Sequence, residues 1–302
     1  RKRNCYTENP KKAGVILFNS HHYLDEIICL RRKFKDKLFV HRVDGPMAYR
    51  GKSGEELDKD VFKVNFLVAD GTVFQSEWSR RECYRKGMKK NSFEVVIHNA
   101  SDPEIFFPKQ QKEPERDKIK LIATSWSNNP GKGFDIYHHL DENLDFGRHE
   151  MTFIGRADRQ FKNIKMINPV PSRKVAEYLR NHDIFIFASK LEACSNSLLE
   201  ALRSDLPAVV RNTSSNPEIL GKGGEVFTNE GDIKTKIDLV ASNLKNYRKK
   251  IKLLTLNDIG EVYYSFCNMI CEKALKKQYK PSSLKFVSLI KTKYLLKNSL
   301  QE

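Results

Sequence analysis

Residues 183–202 read Asp-Ile-Phe-Ile-Phe-Ala-Ser-Lys-Leu-Glu-Ala-Cys-Ser-Asn-Ser-Leu-Leu-Glu-Ala-Leu. The apolar run at its start predicts a buried strand, and the polar loop after it leads into a helix expected from Ser195 to Arg203. Main-chain N–H groups at a helix start are unpaired, and the dipole there favours anions. The start of this helix, with Ser195, Asn196 and Ser197, is therefore expected to bind an anionic part of a ligand.

Two glutamates flank this expected anion site. Glu192 lies in the loop before the helix and Glu200 in its early turns, so one carboxylate can face a ligand beside the anion while the other reaches back along it. Judged by spacing alone, the favoured explanation of the pair is a solvated loop glutamate and an ordinary helix glutamate.

The surrounding sequence alternates short apolar runs with amphipathic segments, which is typical of βαβ units and a parallel sheet. In the second half, strands are expected at 119–124, 151–154, 164–167, 183–188, 208–210 and 225–228, with helices at 134–144, 173–180, 195–203 and 232–252. This is a doubly wound α/β unit, whose ligands bind where strands end at the carboxyl edge of the sheet.

The first half repeats the pattern with fewer elements. Strands are expected at 15–18, 38–43, 72–76 and 94–98, and helices at 23–34 and 78–88. A break at 103–118 contains three prolines amid charged residues and predicts a linker. We therefore expect an N-terminal domain over 1–108, a second domain over 119–260 and a basic helical tail over 261–302.

Length and composition agree with a globular chain of two domains. The chain has 302 residues and a formal net charge of +16, which indicates anionic partners. No zinc finger, helix-turn-helix or RNA-recognition motif accompanies the charge, so nucleic acid is not the expected partner. No apolar run approaches the roughly 20 residues that span a bilayer. Scattered cysteines, with no paired CxxC spacing, predict a reduced, cytoplasmic protein.

The tail has two interpretations. Residues 283–298 place apolar side chains on one face of an expected helix, with lysines around it. Such a helix can lie on an anionic membrane, as a peripheral contact, or pack across a domain surface with its lysines in solvent.

The region around residues 183–202 resembles the glycosyltransferases of family 4, retaining enzymes of the two-domain GT-B fold. Ser189, Glu192, Glu200 and the segment Leu206–Val210 occur in the order found in that family. The resemblance implies two Rossmann-like domains facing across a cleft. It also implies that Glu192 binds hydroxyls of the transferred sugar and that Glu200 binds the ribose of the nucleotide.

The loop 124–134 extends the resemblance, because a basic residue precedes a glycine there. By that resemblance Lys132 holds the diphosphate of the donor, and Ser125 and Trp126 border it. Many members of the family carry an additional arginine earlier in this loop. That neighbourhood here reads Ser125-Trp126-Ser127, so a second cation is missing or comes from elsewhere.

Weaker matches complete the donor side. Gly155 resembles a strand-to-glycine turn that brings the backbone close to the nucleotide, although a glycine at a strand end also answers a steric need. Val170 lies in a segment that resembles the one flanking the base.

In the N-terminal half, His41 and Asp44 lie at the end of a predicted strand. By the resemblance His41 faces the sugar across the cleft, whereas a lone histidine is otherwise commonly structural. Only four strands are expected here, and the glycine-rich loop that opens the family's N-domain is not found. The strand at 15–18 resembles a middle strand of that domain, so the N-terminal domain is expected to be shortened or unusually compact.

The resemblance thus implies a retaining, metal-independent glycosyltransferase that uses a UDP- or GDP-sugar and no cofactor. Its expected acceptor is a hydroxyl of a glycan or of a lipid-linked glycan, in glycan or polysaccharide synthesis. Asp58–Asp60 satisfies the bare Asp-x-Asp pattern of metal-dependent enzymes but is interpreted as a solvated charged stretch. The alternative is a non-catalytic module of a larger protein that binds a nucleotide sugar or a glycan.

Overall fold

The computed structural model describes residues 5–109 and 117–281. The chain divides into two compact units. The first unit comprises the residues up to His98 together with those from Gly260 onward, and the second unit comprises Asn99–Ile259.

The first unit is built on a parallel sheet. Its described strands lie in the order β1-β2-β3-β4: β1 (Val15–Asn19), β2 (Leu38–Val43), β3 (Gly71–Phe74) and β4 (Phe93–Val96). The helices between them are α1 (Leu24–Lys33), α2 (Lys52–Val68) and α3 (Glu77–Arg85), with a short 3₁₀ segment at Met47–Arg50. In this sheet β1 is an edge strand, and Leu17 on it is half exposed.

Helix α2 was not predicted from the sequence. Its first half is rich in charge, so its helical period is weak there, but Val61, Val64 and Val68 on one face are buried. Asp58 is also buried, which corrects the interpretation of this stretch as solvated. Its carboxylate accepts hydrogen bonds from the N–H groups of Met47 (2.9 Å) and Ala48 (2.8 Å), and so satisfies a turn before the helix.

The second unit contains a sheet with all pairs parallel and the strand order β10-β9-β8-β5-β6-β7. The strands are β5 (Ile119–Ser125), β6 (His149–Gly155), β7 (Lys165–Ile167), β8 (Ile184–Phe187), β9 (Ala208–Arg211) and β10 (Gly224–Phe227). From β5 the chain adds strands first on one side and then, from β8 onward, on the other. The order reverses between β5 and β8, and a crevice at the carboxyl ends of such a strand pair is where doubly wound folds bind ligands.

Helices cover both faces of the second sheet. They are α4 (Phe134–Asn143), α5 (Ser172–Arg180), α6 (Asn196–Arg203), α7 (Asn216–Leu220), α8 (Ile233–Ser242) and α9 (Leu244–Lys250). Two apolar clusters result, one holding α5 and α6 against one face and the other holding α4 and α8 against the opposite face. The helix expected over 232–252 is broken at Asn243, whose φ of −134° leaves the helical region.

The expected domain limits also shift. The segment after His98 packs on the second unit: Phe106 is buried in its core, and the Arg180 guanidinium lies 4.3 Å from the centre of the Phe107 ring. Apolar periodicity in the sequence ends at Phe107, but the division between units falls after His98, ten residues before the predicted end of the first domain at 108.

The last described helix, α10 (Leu256–Leu275), belongs to the first unit from Gly260 onward. It buries Phe266 and Ile270, and a Cβ built on Gly71 would lie 2.6 Å from the Ile270 side chain. This part of the expected tail is therefore a component of the first unit. The expected helix at 283–298 lies outside the described residues. No described helix is long and apolar enough to cross a membrane.

Candidate functional site

The loops that follow β5 and β8 meet at the reversal of strand order in the second unit. The Lys190 N–H donates to the Gly131 carbonyl (2.8 Å), which ties one loop to the other. Gly133 has a φ of +81°, and a Cβ on it would lie only 2.0 Å from the Ala188 carbonyl oxygen. A glycine is required there because the two backbones approach so closely.

Lys132 and Glu192, one from each loop, form an ion pair. Lys132 Nζ lies 2.7 Å from Glu192 Oε1, and the Ser189 hydroxyl donates to the same oxygen at 2.7 Å. Both charged side chains remain partly exposed, at 34% for Lys132 and 18% for Glu192, so a ligand can reach them. The structure thus brings together two residues that are 60 positions apart in the sequence.

Residues of the segment between β9 and α7 hold the Glu192 loop in place through hydrogen bonds. The Glu192 N–H donates to Ser214 Oγ (3.1 Å), and the Ser215 hydroxyl donates to the Glu192 carbonyl (2.9 Å). Asn216, which is fully buried, donates from its side-chain amide to the Ser189 carbonyl (2.8 Å). Sequence reasoning missed these supports. The Thr-Ser-Ser-Asn run at 213–216 directly after an expected strand was the available signal.

Helix α6 begins at the same edge. Ser195 is its N-cap, and its hydroxyl accepts from the Leu198 N–H (3.3 Å) and lies 3.0 Å from the Ser197 hydroxyl. The exposed Asn196 accepts through its side-chain oxygen from the Asn99 amide (2.9 Å). Within residues 5–109 and 117–281, the main-chain N–H groups of Asn196 and Ser197 have no acceptor, as expected at a helix start.

Glu200 lies one turn further along α6, between the buried Leu199 and Ala201. Burial raises the pKa of the Glu200 carboxyl to about 7, because little polar surrounding stabilises its charge. Its side chain has no hydrogen-bond donor among the residues described in the structure.

Three predicted residues lie around the carboxyl ends of β5 and β6. The Ser125 side chain is buried and donates to the Ser127 carbonyl (2.7 Å), so it shapes the loop. Trp126 is 53% exposed. Gly155 has a φ of +122°, and a Cβ on it would lie 1.8 Å from the Ser125 carbonyl oxygen. The steric explanation for this glycine therefore holds, whatever ligand the turn approaches.

Val170 follows β7 and is partly buried against the cluster that includes α5 and α6. Its side chain packs against that cluster. Lys132, Glu192, Glu200 and the α6 N-terminus lie nearer the strand reversal, whereas Val170 follows the outer strand of the sheet.

A second charged cluster, which sequence reasoning did not identify, lies beside Gly131. The Arg211 guanidinium donates to Asp135 Oδ2 (2.7 Å) and to the Ala188 carbonyl (2.9 Å), and Lys190 Nζ lies 3.3 Å from Asp135 Oδ1. Burial alone would raise the pKa of Asp135. The hydrogen bond and the charge of the Arg211 guanidinium outweigh it, so the pKa of Asp135 is lowered. Arg211 ends β9, so its place at the carboxyl edge could have been inferred from the strand pattern.

One protein-family model matches a large part of the second unit. Residues 157–253 match the family model of the group 1 glycosyl transferases. This segment is therefore similar to the group 1 glycosyl transferases. It contains Glu192, Glu200 and the start of α6, whereas Lys132 and Gly155 precede it.

Two curated proteins are similar to parts of this chain. Over 174 residues, the chain is 24% identical to the phosphatidylinositol N-acetylglucosaminyltransferase GPI3 subunit of Saccharomyces cerevisiae, covering 51% of this chain and 38% of that protein. It is also 23% identical over 254 residues to "Uncharacterized protein 356" of Sulfolobus islandicus rod-shaped virus 1, covering 70% of each chain. The chain thus spans well under half the length of the yeast relative.

Among solved structures, Anabaena Alr3699/HepE in complex with UDP matches with a TM-score of 0.65. The match has 14% identity and covers 88% of this chain and 79% of that chain. Together with the two parallel sheets, it confirms the expected α/β, GT-B fold.

The two residues predicted in the N-terminal half lie in the first unit. His41 is fully buried on β2: its Nε2 lies 2.9 Å from the Ser20 carbonyl, its Nδ1 lies 3.2 Å from the Asn65 amide, and its ring stacks on Phe18. Burial lowers the pKa of His41 to about 4, so the ring is neutral near pH 7. Asp44 pairs with Arg42 (3.2 Å).

The position of His41 corrects the expectation that it faces a sugar. Both ring nitrogens have partners inside the first unit, and the side chain has no exposed surface. Its observed role is structural, and we do not include it in the catalytic set.

In the described parts of the chain, no three histidine, cysteine, aspartate or glutamate side chains are grouped so that they could hold a metal ion. Asp58, the first residue of the Asp-x-Asp pattern, already accepts hydrogen bonds from the N–H groups of Met47 and Ala48. Metal-independent transfer remains a prediction.

Proposed function

We propose that this chain is a glycosyltransferase that transfers a sugar from a nucleotide diphosphate sugar to a hydroxyl acceptor, with retention at the anomeric carbon. The observation that carries the proposal is the contact of Lys132 with Glu192 beside the α6 N-terminus, at the reversal of strand order. A cation, a sugar-binding carboxylate and free main-chain donors are the groups that such a donor requires.

The diphosphate is assigned to Lys132 and to the N–H groups of Asn196 and Ser197. When the bond from the anomeric carbon to the diphosphate oxygen breaks, negative charge grows on that oxygen. A fixed cation and preorganised N–H donors stabilise this charge more in the transition state than in the substrate. The acceptor oxygen forms the new bond to the anomeric carbon, and its proton leaves with the diphosphate or to solvent.

The sugar is assigned to Glu192 and the ribose to Glu200. A carboxylate can accept hydrogen bonds from two neighbouring hydroxyls, and hydrogen bonds to a charged group contribute roughly 1.5–3 kcal/mol each. Glu192 is fixed for this role by Ser189, Ser214 and Ser215. A preorganised carboxylate loses little conformational entropy when the sugar binds.

The donor base is proposed to be uracil or guanine. The bound UDP of Alr3699/HepE supports uracil by likeness of fold. For the acceptor we propose a glycan or a lipid-linked glycan, and the name of the yeast relative supports a lipid-linked one. Ser125, Trp126, Gly155 and Val170 are proposed to border the nucleotide.

The test is equilibrium binding and turnover with UDP-glucose, UDP-N-acetylglucosamine and GDP-mannose. A nucleotide sugar that binds the folded protein raises its melting temperature by mass action. We expect Lys132→Ala and Glu200→Ala each to weaken the best donor about tenfold or more. Lys174→Ala is the matched control, because Lys174 is an exposed cation paired with Glu177 on α5. Unchanged donor affinity in both site variants would refute the assignment of this pocket.

A non-catalytic binding module is the second candidate. The burial of His41 favours it, since the one residue of the first unit that was expected to act on the sugar is enclosed. Donor binding with neither transfer nor donor hydrolysis, across soluble and lipid-linked acceptors, would establish this candidate in place of the enzyme.

A further inference from the structure

The described cationic side chains at the carboxyl edge of the second sheet include four that are compared by their charge partners. They are carried by the ends of neighbouring strands or by the loops that follow them: Lys132, Arg156, Lys190 and Arg211. A nucleoside diphosphate carries at least two negative charges, so the balance of charge among these residues decides how well the edge can bind one.

Three of the four cations are already engaged with carboxylates. Lys132 pairs with Glu192 at 2.7 Å. Arg211 and Lys190 share Asp135, at 2.7 Å and 3.3 Å, and Arg211 is also held by the Ala188 carbonyl. Their positive charge is thus largely offset within the protein, and Lys132 alone is a weak match for a diphosphate.

Arg156 differs from the other three. It directly follows β6 and is exposed, and within residues 5–109 and 117–281 it has no carboxylate partner. Its position is nevertheless fixed, because its N–H donates to the Ser125 carbonyl at 2.8 Å. The close approach of Gly155 to the same carbonyl leaves this turn little freedom.

The placement of Arg156 lets it serve the loop that carries Lys132. Strands β5 and β6 are neighbours in register from Ile119–His149 to Ser125–Gly155. Paired strands lie about 4.8 Å apart, so Arg156 begins about one strand spacing from the start of that loop. An extended arginine side chain spans more than this distance.

We propose that Arg156 is the second cation of the donor site and binds the diphosphate together with Lys132. This rests on the proposed function. The planar guanidinium presents paired N–H donors that fit two phosphate oxygens, whereas Lys132 acts as a point charge. Arg156 therefore takes the place of the basic residue that is absent from Ser125-Trp126-Ser127.

The test compares nucleoside diphosphates with monophosphates by calorimetry, using UDP with UMP and GDP with GMP. We expect Arg156→Ala to weaken the better diphosphate about tenfold or more and its monophosphate less than about threefold. Arg156→Lys should fall between wild type and Arg156→Ala, because it keeps the charge and loses the paired donors. The melting temperature without ligand should not change, since the side chain is exposed.

Arg159→Ala is the matched control. Arg159 is an exposed arginine in the same loop, it contacts His138 instead of a phosphate-binding residue, and its loss changes the net charge equally. Equal diphosphate affinity in Arg156→Ala and Arg159→Ala would overturn the assignment of Arg156, provided that Lys132→Ala still weakens binding. A wild-type protein that binds none of the four nucleotides would overturn the proposed function itself.

Discussion

The partly buried carboxyl of Glu200 predicts that donor affinity depends on pH. Its pKa is raised to about 7 by burial, and the ribose-binding form is the carboxylate. The carboxylate fraction therefore rises from about a tenth at pH 6 to about nine tenths at pH 8. If only this form binds the ribose hydroxyls, the dissociation constant for the donor falls about tenfold between these two pH values.

The assay is calorimetric titration of the best-binding nucleotide sugar at pH 6, 7 and 8. A nucleotide sugar is preferable to UDP, because a terminal phosphate has its own pKa near about 6 and would add a second pH dependence. Glu200→Gln should bind weakly at every pH, with a flat profile. Glu177→Gln is the matched control, an exposed α5 carboxylate that should leave the wild-type profile unchanged.

The same raised pKa affects stability without ligand. An acid that holds its proton more tightly when folded makes the protein lose stability as pH rises from the unfolded value of 4.5 to the folded value of about 7. The full difference is worth about 3 kcal/mol. Glu200→Gln should therefore raise the melting temperature at pH 8 and leave it nearly unchanged at pH 4. A wild-type donor affinity that stays constant from pH 6 to 8, with the stability effect present, would refute the role of the carboxylate in ribose binding.

Four further predictions rest on other contacts. The pKa of His41 is lowered to about 4, so the folded protein should lose up to about 3 kcal/mol as pH falls from 6.5 to 4, and His41→Phe should lessen this loss in urea denaturation. Asp70→Asn should cost about 3–5 kcal/mol in the same assay, because it removes the carboxylate charge that lies 3.3 Å from the buried Arg31 guanidinium. Tyr279→Phe removes one hydrogen bond to Asp70 (2.8 Å) and should cost only about 1 kcal/mol. Gly133→Ala should weaken donor binding while the sheet stays folded, as measured by circular dichroism, since its Cβ would displace the Lys132 loop from Ala188.

The alternation of apolar runs was sufficient to predict the second sheet. All six expected strands overlap observed ones, since each is a short apolar run between polar loops. The order of the strands was not available from that pattern. The contact of Lys132 with Glu192 depends on β8 lying next to β5, and this pairing joins segments about sixty residues apart. A resemblance to a known family supplied the connection that local periodicity lacks.

The errors in the first unit have a different physical origin. Helix α2 was missed because charges dominate its first half, while the buried Asp58 in that half serves a neighbouring turn. The bounds of β2 agree with the predicted strand at 38–43, but His41 lies two residues before its end and β2 has neighbours on both sides. A side chain two residues inside a paired strand is enclosed by its neighbours, which sequence spacing alone does not reveal.

His41 and Glu200 show which buried titratable groups are candidates for binding. Both are shifted strongly by burial, so the shift does not distinguish them. Their partners do. Both nitrogens of His41 are satisfied by Ser20 and Asn65 inside the first unit, and nothing is left for a ligand to supply. Glu200 has no hydrogen-bond donor in the described part of the chain, and it lies one turn from the free N–H groups of α6. Burying a carboxylate without donors is costly, and a ligand with hydroxyl groups at this place would offset that cost on binding. The unsatisfied carboxylate is thus the stronger sign of a binding site, and the satisfied histidine the stronger sign of a core.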